Sequence, residues 1–496
     1  MKTKSSTVLN DIPMKLIKEF GVELSYPLAN ILNRGIASGE YPHIWKFEIV
    51  TPVPKVFPPS SPEQLRKISG LKNFAKISEK IISEFVIADM KKDPSQYGNE
   101  KGLSTNHYLI KMVNKILTVL ERNSPTEAMA VLAQLVDWKQ AFPRQCHKLG
   151  VESLIKNGVR KELVPILINY FQDRKMVVKW HGELSSERNL PGGGPQGATM
   201  GILEYISQTT GNVNFVSEDE RYKFIDDLSI LECINLVSAG ICSYNFNNHV
   251  ASDIGIDQHF LDSSNIKSQE YIDRISKWTI DNKMKLNENK TKILIVNFTH
   301  NFQFTTRIFI QDSLIEILDQ TKLLGTILSS DLTWRQNTSM LIKKSYARME
   351  ILRKLYAFNV PAADLVQIYI IYIRSLLEQS CVVWASSITE EESVNLERVQ
   401  KIALRIALKE SYISYQNALK VAKLQTLSQR REQLCLKFAQ SCLKNKKTES
   451  MFPLNPCDYD ITTRHREKYK VQQARTERLS SSAIPNMQRL LNKYNV

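Results

Sequence analysis

The sequence predicts a mixed α+β fold with two or three domains. Strand-length apolar segments such as 128–136 and 293–296 stand apart from one another along the chain. Between residues 339 and 408, apolar residues recur instead at the three- and four-residue spacing of helices. A length of 496 residues is more than one hydrophobic core usually serves.

The composition is that of a globular protein, with 43% hydrophobic and 24% charged residues. No segment reaches the about 18 uninterrupted apolar residues of a membrane span, and the N-terminus lacks an apolar signal core. The seven cysteines show no Cys-x-x-Cys pair and no zinc-knuckle spacing. We therefore expect no membrane partner, no signal peptide, no zinc site and no disulfide framework, and an intracellular, reducing setting.

Basic residues are spread along the chain and give a formal net charge of +15. This distribution is typical of nucleic-acid binding, although basic proteins without such a partner exist. Residues 409–496 contain 17 Lys and Arg against 7 Asp and Glu, a net charge of +10. We expect a helix over 418–443 and an irregular segment beyond Pro456, where RNA or DNA contact and disorder are both open.

The first quarter of the chain combines helices with one strand. Apolar spacing predicts helices at 14–20, 27–36 and 74–90, and alternation predicts a strand from Trp45 to Val53. Pro52 and Pro54 place the end of that strand at a sheet edge. Lys55 and Arg66 follow it, and each is either a ligand for a triphosphate or a solvated cation.

An acidic residue ends the next predicted strand. A helix over 106–122 precedes the apolar segment 128–136, which stops at Asp137. An acid in this position is either a metal ligand at a sheet edge or a helix N-cap. A glycine-rich loop follows at 192–197, where Gln196 could contact a base or backbone, or the loop could be an ordinary turn.

Two adjacent carboxylates, Asp226 and Asp227, lie between apolar segments. The pattern predicts a strand, a tight turn and a second strand. Like charges side by side repel each other, and a divalent metal such as Mg²⁺ is the strongest reason to keep them. The alternative is an exposed hairpin tip, because Asp is a common turn residue.

Beyond this turn, the pattern predicts a helix over 269–280 and a buried strand over 293–296. A further strand is expected over 321–328, with Gly325 inside it. The helical segment 339–408 carries buried apolar positions and a basic outer face that includes Lys343, Lys344 and Arg348. Thr389 and Glu392 form a capping-box pattern before its last helix.

The order of these motifs resembles the reverse transcriptases of non-LTR (LINE-type) retrotransposons, over about residues 13–408. The similar segments are, in chain order, Trp45–Lys55 ("W-K…TP-PK"), Arg66–Ser69 ("RPIS"), Gln96–Thr105 ("Q-G…G-ST"), Asp137–Phe142 ("D…AF"), Gly194–Gly197 ("PQG"), Phe224–Asp227 ("[FY]-x-DD"), Met284–Lys292 (a lysine motif), Leu323–Ile327 (the "LG" primer grip), Arg374–Trp384 and Leu396–Ile406 (thumb segments). Group II intron maturases share the palm motifs, but these thumb segments are more similar to the LINE type.

The resemblance implies a right-hand polymerase with fingers, an antiparallel-sheet palm and a helical thumb. It implies RNA-directed DNA synthesis from dNTPs on an RNA template and a DNA primer or target, with two Mg²⁺ ions, or Mn²⁺ in their place. The implied domains are an N-terminal helical extension (1–44), fingers and palm (45–330), thumb (331–408) and basic tail (409–496). The resemblance alone implies a location in the nucleus or the cytoplasm, and the oligomeric state is open.

The resemblance also assigns roles to residues. Asp137, Asp226 and Asp227 would be the catalytic metal ligands. The nucleotide-binding residues would be Lys55 and Arg66 at the phosphates, Phe142 under the sugar, Gln196 near the template, and Lys290 or Lys292 at the leaving group. Leu324 and Gly325 would form the primer grip.

Two departures from the family pattern motivate an alternative. Pro143 replaces the usual acid after Phe142, and Glu204 falls in a helix that is more apolar in the family. We expect Glu204 to disturb the packing behind the palm. The alternative function is therefore a catalytically impaired relic that still binds nucleic acid.

Overall fold

The computed structural model describes residues 11–123, 128–190, 192–195, 197–236, 266–298, 307–455 and 467–495. Strands and helices occur in both halves of this chain, which confirms the α+β class. The strands are β1 Phe47–Pro54, β2 Leu65–Leu71, β3 Met129–Val136, β4 Lys175–Trp180, β5 Glu183–Leu184, β6 Arg188–Asn189, β7 Arg221–Phe224, β8 Asp227–Asn235, β9 Lys292–Asn297, β10 Phe309–Ile310, β11 Ser313–Leu314, β12 Glu316–Leu318, β13 Gln320–Leu323 and β14 Thr326–Ser329.

The helices account for more of the described residues than the strands do. They are α1 Met14–Glu19, α2 Gly21–Ser38, α3 Asn73–Asp89, α4 Thr105–Leu120, α5 His147–Lys156, α6 Val164–Phe171, α7 Thr199–Thr209, α8 Lys267–Asp281, α9 Arg335–Ala357, α10 Ala362–Ile368, α11 Ser375–Leu377, α12 Cys381–Trp384, α13 Glu390–Leu408, α14 Tyr415–Val421, α15 Leu427–Cys442, α16 Glu477–Ser480 and α17 Ala483–Lys493. Among the described residues, no helix is long and apolar enough to cross a membrane.

Two compact units make up the chain, each from several segments. Over their described residues, the first consists of Met1–Asn99, Asp137–Glu218 and Tyr271–Glu288. The second consists of Glu100–Val136, Asp219–Glu270 and Asn289–Val496. The four domains expected from the sequence remain a prediction.

The first unit contains a five-stranded sheet in the order β2-β1-β4-β5, with β6 also paired to β4. Strand β1 is antiparallel to β2 from Glu48 to Pro54 but parallel to β4 only from Phe47 to Val50. Pro52 and Pro54 lie beyond the pairing with β4, where a missing N–H breaks no ladder bond on that side. The predicted edge position of these prolines is confirmed.

Helices α3, α5, α6 and α7 supply the core of the first unit. Their fully buried side chains include Ile82, Leu154, Ile166, Met200 and Leu203. Burying one such side chain stabilises a fold by about 1.5–3 kcal/mol relative to exposing it. This core supports the loops that connect α5, α6 and α7.

The second unit contains a sheet in the order β12-β9-β3-β8-β7. Strand β3 is central and antiparallel to both β8 and β9. Every β3 residue is buried, and the amide of Gln134, the one polar side chain among them, donates to Ser268 O at 2.8 Å. The predicted strands and their antiparallel pairing are confirmed, while the short β12 at the edge pairs with β9 in parallel.

The single strand expected over 321–328 is wrong. Strands β13 and β14 pair as a hairpin, with Leu323 opposite Thr326, so Leu324 and Gly325 form its two-residue turn. Both have positive φ angles, 48° and 92°, which a two-residue hairpin of this hand requires. Leucine is an unusual residue at such a position, so apolar continuity concealed the turn.

The helical segment after residue 335 agrees with the prediction. On α9, Leu341, Met349 and Leu352 are buried, whereas Lys343 and Lys344 are exposed. Thr389 caps α13, because its side chain accepts from Glu392 N while the Glu392 carboxylate accepts from Thr389 N. The predicted capping box is confirmed.

The tail is more ordered than the sequence predicted. Helices α14 and α15 confirm the helical segment near 418–443, but α16 and α17 contradict an irregular chain over 467–495. Helix α17 buries Ile484, Met487 and Leu491, which share one helical face. Thr476 donates its N–H and hydroxyl to the Glu121 carboxylate at 2.8 and 2.6 Å, which ties the tail to the end of α4.

We predict that His107 makes the second unit sensitive to acid. Ser104 N donates to His107 Nδ1 at 3.1 Å at the start of α4, and burial, followed by the nearby Lys111 charge, lowers the pKa of His107 from 6.5 to about 4. Between these pH values the unfolded chain takes up a proton that the folded chain does not. The contribution of His107 to the unfolding free energy is therefore fully present above pH 6.5 and is lost as the pH falls toward 4.

The His107→Gln variant separates this titration from the cap. Glutamine suits the same capping position but does not titrate. In urea unfolding at neutral pH and near pH 4.5, the parent should lose more unfolding free energy on acidification than the variant. Equal losses in the two proteins would contradict the assignment.

Candidate active site

Acidic residues lie directly beside the end of β3 and the beginning of β8 in the sequence. Val136, the last residue of β3, lies opposite Leu228, the second residue of β8. Because the two strands are antiparallel, the end of β3 and the beginning of β8 share that edge. Asp137 directly follows β3, Asp226 directly precedes β8, and Asp227 begins β8.

The turn that carries Asp226 is a two-residue hairpin turn with an unusual first residue. Phe224 pairs with Asp227, which leaves Ile225 and Asp226 as a two-residue turn. Ile225 has φ of 59°, a region that β-branched residues rarely adopt and where Gly or Asn usually serves. Such backbone strain costs about 1–3 kcal/mol and clusters at functional sites. Asp226 is exposed and Asp227 half-buried.

Asn287 holds Asp137 in place. Its side-chain amide donates to Asp137 Oδ2 at 2.8 Å, and its backbone N–H donates to Asp137 O at 2.9 Å. Asp137 is not a helix N-cap, since the next helix begins only at His147. Sequence reasoning included Asn287 in a motif but missed its role, because the contact joins residues 150 positions apart.

The donor chemistry fits a hard divalent cation. Within the described part of the chain, no three His, Cys, Asp or Glu side chains form a ready-made metal-binding group. Mg²⁺ does not require one, because it is usually held by one or two carboxylates together with substrate phosphates and water. Asp137, Asp226 and Asp227 offer carboxylate oxygens of the required kind.

Lys55 and Arg66 lie on one hairpin of the first unit. Arg66 is opposite Val53 in the pairing of β1 with β2, and Lys55 directly follows Pro54, the last residue of β1. Both side chains are exposed, and Lys55 Nζ donates to Glu63 O at 2.9 Å. The hairpin therefore presents two neighbouring cations, and their contact with phosphates stays a prediction.

Phe142 lies in a turn that packs on α7. Its ring centroid is 5.2 Å from that of Tyr205, which is fully buried. Pro143, the unusual neighbour of Phe142, is exposed and leaves this packing intact. Gln196, expected near the template, lies outside the described residues.

The glycine-rich loop passes close to the Phe142 turn. Gly193 N donates to Gln145 O at 3.0 Å, and Gly194 N donates to Phe142 O at 3.1 Å. Gly193 has φ of 87°, and a Cβ atom there would lie 3.1 Å from Pro143 O. The glycines are therefore required because the loop packs against the chain's own backbone.

Comparisons with known proteins agree with the motif order. The chain is 24% identical over 308 residues to the "Probable RNA-directed DNA polymerase from transposon X-element" of Drosophila melanogaster, covering 60% of this chain and 30% of that protein. It is 23% identical over 367 residues to the corresponding protein "from transposon BS" of the same species, covering 71% and 37%. Its sequence relatives are polymerases of non-LTR transposons.

The chain spans about a third of the length of these polymerases, with 30% and 37% of the two proteins covered. No family model matches the chain. Among solved structures, apo telomerase from Candida tropicalis is similar with a TM-score of 0.39 and 12% identity, over 86% of this chain and 67% of that one. A score of this size is too low to support an argument about the fold.

The structure distinguishes the two candidate lysines of the lysine motif. Lys292 begins β9 and pairs with Glu316, with Nζ 2.7 Å from Oε2. Lys290 is exposed, and within the described chain it forms no ion pair. Which of the two lysines acts at the leaving group stays a prediction.

The predicted primer-grip residues occupy the β13–β14 turn. Gln379 Nε2 donates to Gly325 O at 3.3 Å, and a Cβ atom on Gly325 would lie 2.7 Å from the same nitrogen. Gly325 thus serves both the positive φ angle and this close approach. Contact of Leu324 and Gly325 with a primer stays a prediction.

One of the two carboxylate oxygens of Glu204 has a hydrogen-bond partner, while Glu204 Oε2 is buried without one among the described residues. Glu204 is fully buried on α7, where His147 Nδ1 lies 3.1 Å from its Oε1. Burial raises the pKa of the Glu204 carboxyl, and the His147 hydrogen bond opposes that shift. Gly150 makes the room, because a Cβ atom there would overlap the carboxylate. The sequence could not show this pairing across 57 positions.

We predict that the His147–Glu204 pair stabilises the first unit only as a pair. The His147→Ala variant leaves the buried carboxyl without its partner and should lose about 3–5 kcal/mol of unfolding free energy. The double variant His147→Leu/Glu204→Leu removes both polar groups and should lose less than His147→Ala. Urea unfolding measures both losses, and a double variant that is the less stable of the two would refute the pairing.

Proposed function

We propose that this chain is an RNA-directed DNA polymerase of a non-LTR mobile element, with the fingers, palm and thumb of a right-hand polymerase. The observation that carries the proposal is the β3–β8 register, which pairs Val136, the residue before Asp137, with Leu228, the residue after Asp227. The relatives in Drosophila melanogaster bear the corresponding name. The reaction joins a dNTP to a primer 3′-hydroxyl and releases pyrophosphate.

The carboxylates hold the metal ions in this proposal. Asp137 and Asp226 would bind two divalent ions, Mg²⁺ or Mn²⁺, with Asp227 in support. When bound, such ions lower the pKa of the attacking hydroxyl and neutralise charge on the triphosphate. Asn287 keeps the Asp137 carboxylate oriented, because it bonds both the side chain and the backbone of that residue.

Other residues bind and select the nucleotide. Lys55 and Arg66 bind the triphosphate oxygens from their shared hairpin. Phe142 blocks a 2′-hydroxyl by bulk, Gln196 contacts the template or nucleotide, and Lys290 donates a proton to the departing pyrophosphate oxygen. The exposed Lys343 and Lys344 of α9 contact phosphates of the primer–template duplex.

The alternative function is a relic that binds nucleic acid without catalysis. Its motives in the sequence are Pro143 and Glu204, and the hydrogen bond from His147 to Glu204 weakens the second of them. Two observations support an active polymerase instead. The acidic residues directly follow β3 and begin β8, and Asn287 positions Asp137.

We predict that the chain extends oligo(dT) on poly(rA) with dTTP and Mg²⁺, and that Asp226→Ala loses at least about 100-fold in rate. Asp312→Ala is the matched control. Asp312 also follows a residue of positive φ in a two-residue hairpin turn, between β10 and β11, away from the proposed site. It should extend the primer at the parental rate.

A third variant tests the support of Asp137. Asn287→Leu leaves every proposed ligand in place and should lower the extension rate about 10- to 100-fold, the usual cost of losing a group that orients a metal ligand. A folded parent that shifts the duplex in a gel but never extends it would favour the relic. Equal extension by the parent and Asp226→Ala would overturn the metal assignment.

A further inference from the structure

Gln145 joins three separate backbone segments of the first unit. Its side chain is 2% exposed and bonded at both ends. Oε1 accepts from Gly194 N at 3.0 Å, and Nε2 donates to Gly201 O at 3.1 Å. Its own backbone N–H donates to Phe142 O at 3.2 Å. The side-chain amide of Gln145 thus connects the glycine-rich loop to the first turn of α7, and its backbone N–H connects both to the Phe142 turn.

The packing around this amide leaves no free space. A Cβ atom on Gly194 would collide with Gln145 Oε1 and would lie 3.2 Å from Gly201 Cα. A Cβ atom on Gly201 would lie 3.3 Å from Gly194 Cα. The two glycines approach each other because each lacks a side chain, and the Gln145 amide bonds to both backbones. A satisfied buried amide of this kind rigidifies its surroundings.

This cluster fixes Phe142 from two sides. The Phe142 carbonyl accepts from Gly194 N at 3.1 Å, which holds its backbone. Its ring packs on Tyr205, which lies one helical turn beyond Gly201 on α7. Loss of the Gln145 bonds would therefore release both the backbone of Phe142 and the helix that supports its ring.

We infer that Gln145 is a positioning residue that sets the sugar selectivity of the site by fixing Phe142. The inference rests on the proposed polymerase function and on the role of Phe142 as a barrier to the 2′-hydroxyl. Exclusion by bulk depends on the position of the ring to a fraction of an ångström, since a displacement of about 1 Å at a reacting site can cost about 100-fold. Gln145 acts through Phe142 and does not itself touch the nucleotide.

The test compares incorporation of dTTP and UTP by the parent, Gln145→Leu and Gln208→Leu. Gln208 is the matched control, because it is a buried glutamine on α7 whose Nε2 donates to a backbone carbonyl, Asn282 O, at 3.1 Å. Gln145→Leu should lower the ratio of kcat/KM for dTTP to that for UTP by about 10-fold or more. Gln208→Leu should leave this ratio unchanged.

Non-additivity with Phe142 separates positioning from a general loss of stability. Phe142→Ala should lower the ratio by itself, and adding Gln145→Leu should change it little further. Equal losses of dTTP and UTP incorporation in Gln145→Leu would overturn the selectivity role. Independent, multiplying effects of the two substitutions would overturn the action through Phe142.

Hydrogen exchange tests, without catalysis, whether Gln145 holds the glycine-rich loop. The amides of Gly193 and Gly194 should exchange faster in Gln145→Leu than in the parent, while Gln208→Leu should match the parent at these amides. Unchanged exchange in Gln145→Leu would show that Gln145 does not hold this loop. A parent that never extends a primer would refute the proposed function. The exchange result would still show whether Gln145 holds the glycine-rich loop.

Discussion

The pairing of β3 with β8 is the constraint on which the proposed site depends. Strand β3 is buried on both faces, so its apolar side chains fix its register against β8. A slip of one residue would turn every β8 side chain to the other face and would remove Leu228 from its place opposite Val136. The same register determines where Asp137 and the Asp226–Asp227 turn begin. Hydrophobic burial in the sheet therefore determines the placement of the charged residues at its edge.

Within the first unit, several polar groups are held by hydrogen bonds between residues far apart in the chain. Asn287 fixes Asp137, His147 accompanies Glu204, and Gln145 connects the glycine-rich loop to α7. Each bond contributes only about 0.5–1.5 kcal/mol, but a buried polar group left unpaired costs about 1–3 kcal/mol. These three hydrogen bonds thus favour the observed arrangement of the turns, because another arrangement would leave some of these polar groups unpaired.

Local pattern predicted much of the fold. Strand β3, the β7–β8 hairpin and the capping box of α13 follow from apolar runs, alternation and a four-residue signature. These signals act over a few neighbouring residues, so one sequence suffices. The positions of Asp137, Asp226 and Asp227 at strand ends were predicted for the same reason.

What the sequence missed depends on distant partners or unusual turn residues. Leu324 adopts a positive φ angle that a leucine does not signal, so the β13–β14 turn was taken for a strand. Helix α17 lies in a strongly basic tail, and that composition masked the helical spacing of its apolar residues Ile484, Met487 and Leu491. Asn287, Gln145 and the partner of Glu204 became evident only when the chain brought residues from separate segments together.

The central proposal, which the resemblance to reverse transcriptases implies, is that Asp137, Asp226 and Asp227 bind the same divalent ions. Iron-directed cleavage tests it directly: Fe²⁺ replaces Mg²⁺, and ascorbate with peroxide cuts the backbone beside the bound iron. The account predicts cuts near both Asp137 and Asp226, suppressed by excess Mg²⁺ and absent in Asp226→Ala. Cuts near only one of the two segments, or cuts that persist in Asp226→Ala, would contradict it.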